Sequence, residues 1–251
     1  MTNLKFQRLT GLFFIIGTVL LNIPYTLLII NFDYPDILRQ PTAHILTQFH
    51  AGGANLIFTW LAFAWVGLPV LFAVVMLKKI MGHENHLFLE TATVIGVIGM
   101  IVQVLGLLRW VFVVPVLANL YTDPAASEAT QAAVIVAFQL IHQYGGVVLG
   151  EHIGQFFSIV WTIMISLMML KSSLFKPWLG WFGLGSGLVY LTAQTELLAT
   201  VLPNFPVVPE GGLVGSIVWL LWLITVGIVL LRVSPQTQPD KVVAVTSVSQ
   251  A

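Results

Sequence analysis

Four ionisable side chains interrupt stretches of sequence that are otherwise apolar: Arg109, Glu151, His152 and Glu196. A charged group at the centre of a lipid bilayer costs at least about 2.5–3.5 kcal/mol, so such groups normally face other protein and pair with one another. Low dielectric raises the proton affinity of a carboxylate, and a nearby arginine opposes that effect. This combination is suited to binding protons, cations or a small charged solute.

Further polar residues fall near the same depth in the apolar stretches. His50 precedes the apolar stretch 53–77, His142 precedes the stretch 147–170, and Gln194 lies two residues before Glu196. A polar stripe on one helical face follows Glu151, and its members are Gln155, Ser158, Thr162 and Ser166. The candidate ligand-binding or ion-binding residues are therefore Arg109, Glu151, His152, Glu196, Gln155, Gln194, His142 and His50.

Membrane helices must position these side chains, because 58% of the 251 residues are hydrophobic and only 8% are charged, whereas soluble domains are about a quarter charged. A helix that crosses the bilayer needs about 20 mostly apolar residues. Six segments meet this requirement: 9–30, 53–77, 88–117, 147–170, 178–202 and 212–232. The sequence therefore predicts an all-α, polytopic membrane protein with a six-helix bundle.

The distribution of basic residues predicts the orientation, because short cytoplasmic loops are enriched in lysine and arginine. Eight of the ten basic residues fall on one side of the predicted bundle: Lys5, Arg8, Lys78, Lys79, Lys171, Lys176, Arg232 and Lys241. Arg39 is the only loop cation on the other side, which holds five acidic residues. Both termini are predicted to be cytoplasmic, and the expected location is a bacterial inner membrane.

The non-cytoplasmic loops and the tail carry predictions of their own. Residues 33–52 are expected to lie along the membrane interface, and residues 123–144 are expected to form an interfacial helix. Asp123 is suited to be its N-cap, and Gly145–Gly146 to end it. The transmembrane domain would then cover residues 1–233, followed by a disordered cytoplasmic tail at 234–251.

Each polar residue also has a structural interpretation without function. Arg109 beside Trp110 is typical of a side chain that extends to the lipid interface, whereas the short Glu196 is expected to face inward and pair. His50 and His142 are expected to be solvated loop histidines when each is considered alone. Gly183-x-x-x-Gly187 is a small-residue contact pattern, and with it we expect the third, fourth and fifth spans to pack together.

Three stretches resemble a known family: RWVFVVPVLANLYTDPAASEAT, HQYGGVVLGEHIGQ and WLGWFGLGSGLVYLTAQTELLATVLPNFPV. They are similar to bacterial multi-pass membrane proteins catalogued as domain of unknown function forty-three eighty-six. The resemblance runs from the second span to the sixth. It implies a six-helix bundle and places Arg109, His142, Glu151, His152 and Glu196 in the family pattern, but it implies no substrate, cofactor or catalytic role.

Three functions are compatible with these residues. The first is small-solute binding or proton-coupled or ion-coupled transport, with Arg109 balancing Glu151 and Glu196. The second is a non-catalytic membrane partner or assembly factor whose polar cluster only fixes the helix register. The third is a metal or b-type haem protein, for which the candidate ligands are His50, His142, His152 and Glu196.

Several classes are disfavoured. No hydrolase motif is present, so the sequence favours a protein that is not an enzyme, and we predict no cofactor. The absence of cysteine excludes thiolate-bound metals and disulfides. A formal net charge of zero disfavours nucleic-acid binding. The expected partners are membrane lipid and either further copies of the chain or other membrane proteins.

Overall fold

The chain is helical almost throughout the part that the computed structural model describes, residues 4–82 and 86–232, and no strand occurs in either range. The predicted all-α fold is therefore confirmed. The predicted cytoplasmic tail at 234–251 lies outside the described residues.

The described ranges contain ten α-helices, one 3-10 turn and one π-helical segment. In chain order they are α1 (Leu4–Phe32), the 3-10 turn (Asp36–Arg39), α2 (Thr42–Trp65), α3 (Leu68–Met81), α4 (His86–Phe112), α5 (Val114–Thr122), α6 (Glu128–Ile141), the π-helix (His142–Ile153), α7 (Gly154–Lys171), α8 (Pro177–Leu191), α9 (Gln194–Ala199) and α10 (Gly211–Arg232).

Five helical stretches in the described part are long and apolar enough to cross a membrane: Leu4–Phe32, Thr42–Met81, Leu87–Thr122, Glu128–Lys171 and Gly211–Arg232. The segment predicted as the fifth span, 178–202, contains two shorter helices, α8 and α9, with a turn at Thr192 and Ala193. The chain is thus an apolar helical protein of the membrane type.

Three of these stretches are longer than a bilayer requires, with 40, 36 and 44 residues. At the helical rise they span roughly 54–66 Å, about twice the hydrocarbon thickness. The excess lies at one end of the bundle, where the 3-10 turn, the first part of α2, α5 and α6 pack around Trp110. We call this region the cap, the end of the bundle beneath it the Arg39 end, and the opposite end the Lys78 end.

The structure gives the helix boundaries in the cap. Helix α2 begins at Thr42, so the latter part of 33–52 is helical, and the non-helical backbone of Gly53, with φ of +54°, separates it from the apolar stretch that follows. The predicted ends of the helix at 123–144 are corrected. The predicted helix at 123–144 begins at Glu128, and its N-cap is Ser127, whose hydroxyl accepts from the Thr130 N–H, in place of Asp123. Gly145–Gly146 does not end it, because the chain continues through the π-helix into α7.

Glycines allow the central helices to approach closely. A Cβ on Gly106 of α4 would lie 2.6 Å from Gly150 Cα, and one on Gly99 would lie 2.9 Å from Phe157 Cβ, so α4 runs antiparallel to the π-helix and α7. A Cβ on Gly183 would overlap Ser166 Oγ, and one on Gly187 would approach Ile163. The predicted packing of the third, fourth and fifth apolar segments is confirmed.

Two apolar cores stabilise the bundle. One lies toward the Lys78 end and includes Trp161, Trp222 and Phe14. The other lies within the cap, where the Trp60 and Trp110 rings stack 4.8 Å apart at 10°.

Candidate functional site

An ion-pair cluster at the Arg39 end joins three distant segments. Arg39 Nη2 lies 3.0 Å from Glu151 Oε2, and Arg39 Nε lies 3.0 Å from Glu196 Oε1. Arg39 ends the 3-10 turn, Glu151 lies in the π-helix and Glu196 in α9. We call these three residues the Arg39 trio. The expectation that Arg109 balances the two glutamates is corrected, because the guanidinium bonded to both of them belongs to Arg39.

The cap positions Arg39 through the residues before it. Ile37 and Leu38 are buried in the cap core, and the N–H groups of both donate to earlier backbone carbonyls, those of Asp33 and Pro35. The Tyr34 ring packs edge-on against Trp60 at 5.2 Å. These contacts fix the end of the turn, so the long Arg39 side chain reaches across to the bundle.

The trio is held together by charge but remains accessible to solvent. Burial lowers the pKa of Arg39, but Glu151 and Glu196 together outweigh that effect and raise it above its ordinary value. Arg39 is therefore always protonated. The side chains of Arg39, Glu151 and Glu196 are 34%, 20% and 49% exposed. Ion pairs with this exposure typically contribute only about 0.2–1 kcal/mol, so another ion can compete for the carboxylates.

Arg109 is buried, with only 7% of its surface exposed. Its Nη1 donates to the Gly106 carbonyl oxygen, and its guanidinium lies 5.2 Å from the Trp110 ring centre. Its Nε makes no hydrogen bond, and no carboxylate in the described part of the chain lies within ion-pair distance. The interpretation of Arg109 as a side chain extended to the lipid interface is wrong. It is an inward-facing cation.

The glycine pair before Glu151 makes room for that cation. A Cβ on Gly146 would lie 2.6 Å from Arg109 Nη2, and one on Gly145 would lie 3.5 Å from Arg109 Cδ. The sequence predicted that this glycine pair ends a helix. In the structure the pair instead leaves space for the Arg109 guanidinium. Glu151 is also close enough to act electrostatically on Arg109.

A second polar group lies beside the trio. His152 Nδ1 lies 2.6 Å from Gln194 Oε1, and Gln194 Nε2 donates to Gln155 Oε1 at 3.2 Å. Because the Gln194 oxygen can only accept, the proton of this bond belongs to His152 Nδ1. The structure thus connects three of the predicted residues from the π-helix, α7 and α9.

His50 and His142 belong to the cap and have other surroundings. His50 Nδ1 lies 3.0 Å from Asn119 Oδ1 at an exposed position. The His142 ring stacks on Phe138 at 5.3 Å, and although the Leu38 backbone lies beside it, neither ring nitrogen makes a hydrogen bond of good geometry in the described residues. His142 is therefore packed among aromatic rings, which corrects its interpretation as a solvated loop residue.

The candidate metal ligands His50, His142, His152 and Glu196 do not form one group in the described part of the chain. Within the described residues, no three His, Cys, Asp or Glu side chains are grouped so that they could hold a metal ion. Two of these candidates, His50 and His152, are hydrogen-bonded to Asn119 and Gln194, respectively.

The polar stripe of α7 continues from the trio into the bundle. Ser158, Thr162 and Ser166 are all buried, which confirms that the stripe faces the protein interior. Gln103 Nε2 donates to Ser158 Oγ at 3.0 Å, and Trp219 Nε1 donates to Thr162 Oγ1 at 2.8 Å. These bonds tie α4 and α10 to α7 along the stripe.

Arg39 is the one residue of the trio that the sequence candidates omitted. It is separated from Glu151 by 112 residues and from Glu196 by 157, so no helical spacing connects them. One feature of the sequence could have indicated Arg39: it is the only loop cation on a side of the predicted bundle that holds five acidic residues.

The comparisons with known proteins name no activity. No curated protein and no solved structure matches the chain. Residues 9–227 match the family model described as Domain of unknown function (DUF4386). This match covers most of the chain, including the Arg39 trio, Arg109 and the α7 stripe. The chain therefore belongs to the DUF4386 family.

Proposed function

We propose that this chain is a six-span protein of a bacterial inner membrane, with both termini in the cytoplasm, and that it binds a small solute carrying a positive charge from the non-cytoplasmic side. The Arg39 trio would be the binding site, and proton-coupled or ion-coupled transport the activity that follows from it. In this orientation the basic residues of the Lys78 end face the cytoplasm, as short cytoplasmic loops require.

One observation carries the proposal: two carboxylates from different helical segments converge on a single guanidinium. Two carboxylates and one guanidinium leave one negative charge at an exposed position. A solute with an ammonium or guanidinium group would satisfy both glutamates in place of Arg39. Arg39 ends its short turn and its side chain is partly exposed, so it can move from the site into solvent.

Arg109 supports a site that responds to its ligand. It places a positive charge beneath the trio without a carboxylate partner in the described residues, and Glu151 acts on it electrostatically. When a ligand displaces Arg39, Glu151 is still attracted electrostatically to Arg109.

The six-span topology is tested by cysteine accessibility, for which the cysteine-free chain is a ready background. In right-side-out membrane vesicles, Ala125→Cys and Val207→Cys should react with a membrane-impermeant maleimide. Ser173→Cys should react only after permeabilisation. If Val207→Cys and Ser173→Cys react on the same side, the segment of α8 and α9 does not cross the membrane and the proposed topology is wrong.

The binding site is tested by Glu196→Gln in proteoliposomes on a solid-supported membrane electrode. A concentration jump of ethylammonium should displace charge in a saturable way, and the same jump of acetate should not. Glu196→Gln should weaken the response by up to about five-fold, because an ion pair with a half-exposed carboxylate contributes about 0.2–1 kcal/mol. Glu210→Gln removes an acidic group without an ion pair in the described residues and should leave the response unchanged.

The same preparations separate binding from a purely structural role. Size-exclusion profiles and thermal unfolding in detergent should be alike for wild type, Glu196→Gln and Glu210→Gln. An unfolded Glu196→Gln would favour the partner or assembly-factor function, in which the trio only fixes helix register. A folded Glu196→Gln with the wild-type response would show that the trio is not the ammonium site.

A further inference from the structure

A second feature, separate from the Arg39 trio, is a cavity near the middle of the bundle. It has about 590 Å³ of empty space, including its open side, and lies between α1, the junction of α2 and α3, α4 and α10. Most of its lining is apolar, including Leu21, Phe63 and Met100. Gly17 and Thr18, which also line it, lie halfway along α1, so the cavity lies near the bilayer midplane.

The backbone beside the cavity lacks part of its helical hydrogen bonding. Pro69 has no N–H, so the carbonyl of Trp65 loses its usual donor. The Val70 N–H donates to the Gly67 carbonyl at 2.9 Å and leaves the Val66 carbonyl without its usual donor. Interrupted backbone at membrane depth is tolerated where it is buried in protein or lines a cavity. Gly67 and Leu68 of this junction do line the cavity.

Two side chains add further hydrogen-bonding capacity at the same depth. Thr18 is 1% exposed, and its Oγ1 makes no hydrogen bond among the described residues, whereas Thr10 of the same helix donates to Phe6 O at 2.9 Å. Gln103 uses its Nε2 to reach Ser158, so its Oε1 is left as an acceptor. Thr18 Oγ1 can accept or donate, whereas Gln103 Oε1 can only accept, so both of these lining groups offer an acceptor.

We infer that this cavity binds an uncharged, membrane-dissolved alcohol. The apolar lining matches a hydrocarbon body, and the acceptors match a hydroxyl that donates a hydrogen bond. The lining contains no Asp, Glu, Lys, Arg or His, so a charged headgroup would lack a counter-ion at a depth where charge is costly. An alkane would fill the space but leave the acceptors unsatisfied, which costs free energy in a buried site.

The cavity and the Arg39 trio are independent sites. The trio lies beneath the cap, binds charge and is open to water, whereas the cavity lies at membrane depth and has no ionisable lining. An alcohol that partitions into the bilayer reaches the cavity from the lipid without passing the trio. Failure of one proposal therefore leaves the other intact.

The test is photolabelling of the full chain in nanodiscs with a dodecanol that carries a mid-chain diazirine, and with its methyl ether, which lacks the hydroxyl hydrogen. Peptide mapping should place the dodecanol label on α1, α3 and α4, and unlabelled dodecanol should compete with it. Thr18→Val keeps the side-chain shape but removes the hydroxyl, and should reduce dodecanol labelling about three-fold to ten-fold. The methyl ether cannot donate to Gln103 Oε1 and should therefore label more weakly than dodecanol.

Matched variants guard against indirect effects. Val104→Phe fills the cavity and should remove most dodecanol labelling, whereas Val102→Phe, on the same helix but outside the lining, should not. Thr10→Val is the control for Thr18→Val, because Thr10 is buried away from the cavity. Labelling spread over lipid-facing residues, or equal labelling by the alcohol and the ether, would overturn the inference. So would unchanged labelling in Val104→Phe.

Discussion

Replacing Trp110 with alanine should lower the free energy of unfolding by about 3–5 kcal/mol, the range typical of truncating a buried tryptophan. Trp110 is fully buried at the centre of the cap core. Its ring stacks 4.8 Å from Trp60 and lies 5.4 Å from Phe32 and 5.6 Å from Phe49. No neighbouring side chain is free to fill the resulting space, because the surrounding rings already contact one another.

The loss of packing in the cap core should also affect the Arg39 trio. Ile37 and Leu38, which anchor the turn before Arg39, belong to the same core as Trp110. Arg109 would lose its contact with the Trp110 ring as well. We therefore expect Trp110→Ala to weaken the ethylammonium response together with stability.

Unfolding in mixed micelles of increasing SDS fraction, followed by far-ultraviolet circular dichroism, measures the stability change. Trp181→Ala is the matched control, because Trp181 is 65% exposed and its truncation leaves no internal cavity. It should change stability by less than about 1 kcal/mol. Equal losses for the two variants would contradict the assignment of Trp110 to a packed core.

Replacing Gly106 with alanine should destabilise the bundle by about 1–3 kcal/mol or more, as overpacking of a close contact does. The added Cβ would lie 2.6 Å from Gly150 Cα and 2.8 Å from the Gly145 carbonyl oxygen. Both are backbone atoms, so no side-chain rotation relieves the clash. Helix α4 and the π-helix must move apart.

This separation would act directly on the candidate site. Gly150 precedes Glu151, and the Gly106 carbonyl accepts from Arg109. Gly106→Ala should therefore reduce the ethylammonium response even at temperatures where the protein stays folded. Gly185→Ala is the control, because a Cβ there meets nothing within 4 Å. It should be neutral or stabilising by about 0.5–1 kcal/mol. A Gly106→Ala variant as stable as Gly185→Ala would show that α4 and the π-helix are not in close contact.

The sequence by itself determined the class of protein and much of its helical content, because these depend on local properties. A run of apolar residues long enough to cross a bilayer is read directly from composition, and the helical periodicity of Ser158, Thr162 and Ser166 predicted a buried face that the structure confirms. The small residues of Gly183-x-x-x-Gly187 predicted helix contacts for the same reason, because their spacing alone aligns them on one face.

Helix ends were predicted less well, because capping depends on competing local choices. Asp123 and Ser127 are both good N-cap residues, and only Ser127 caps a helix. Gly145–Gly146 favours a helix end in isolation, but packing against Arg109 and α4 makes those glycines part of a continuous π-helix. A tertiary contact thus overrode the local preference.

The partner of the two glutamates was decided only by the tertiary structure. Arg109 and Arg39 were both available to Glu151 and Glu196, and the sequence offers no spacing that chooses between them. The cap core chooses, because burying Ile37 and Leu38 directs Arg39 over the bundle, while Trp110 and the glycine pair hold Arg109 beneath it. Polar side chains in an apolar protein can be found from sequence because charge is costly there, but their pairing depends on how distant segments pack.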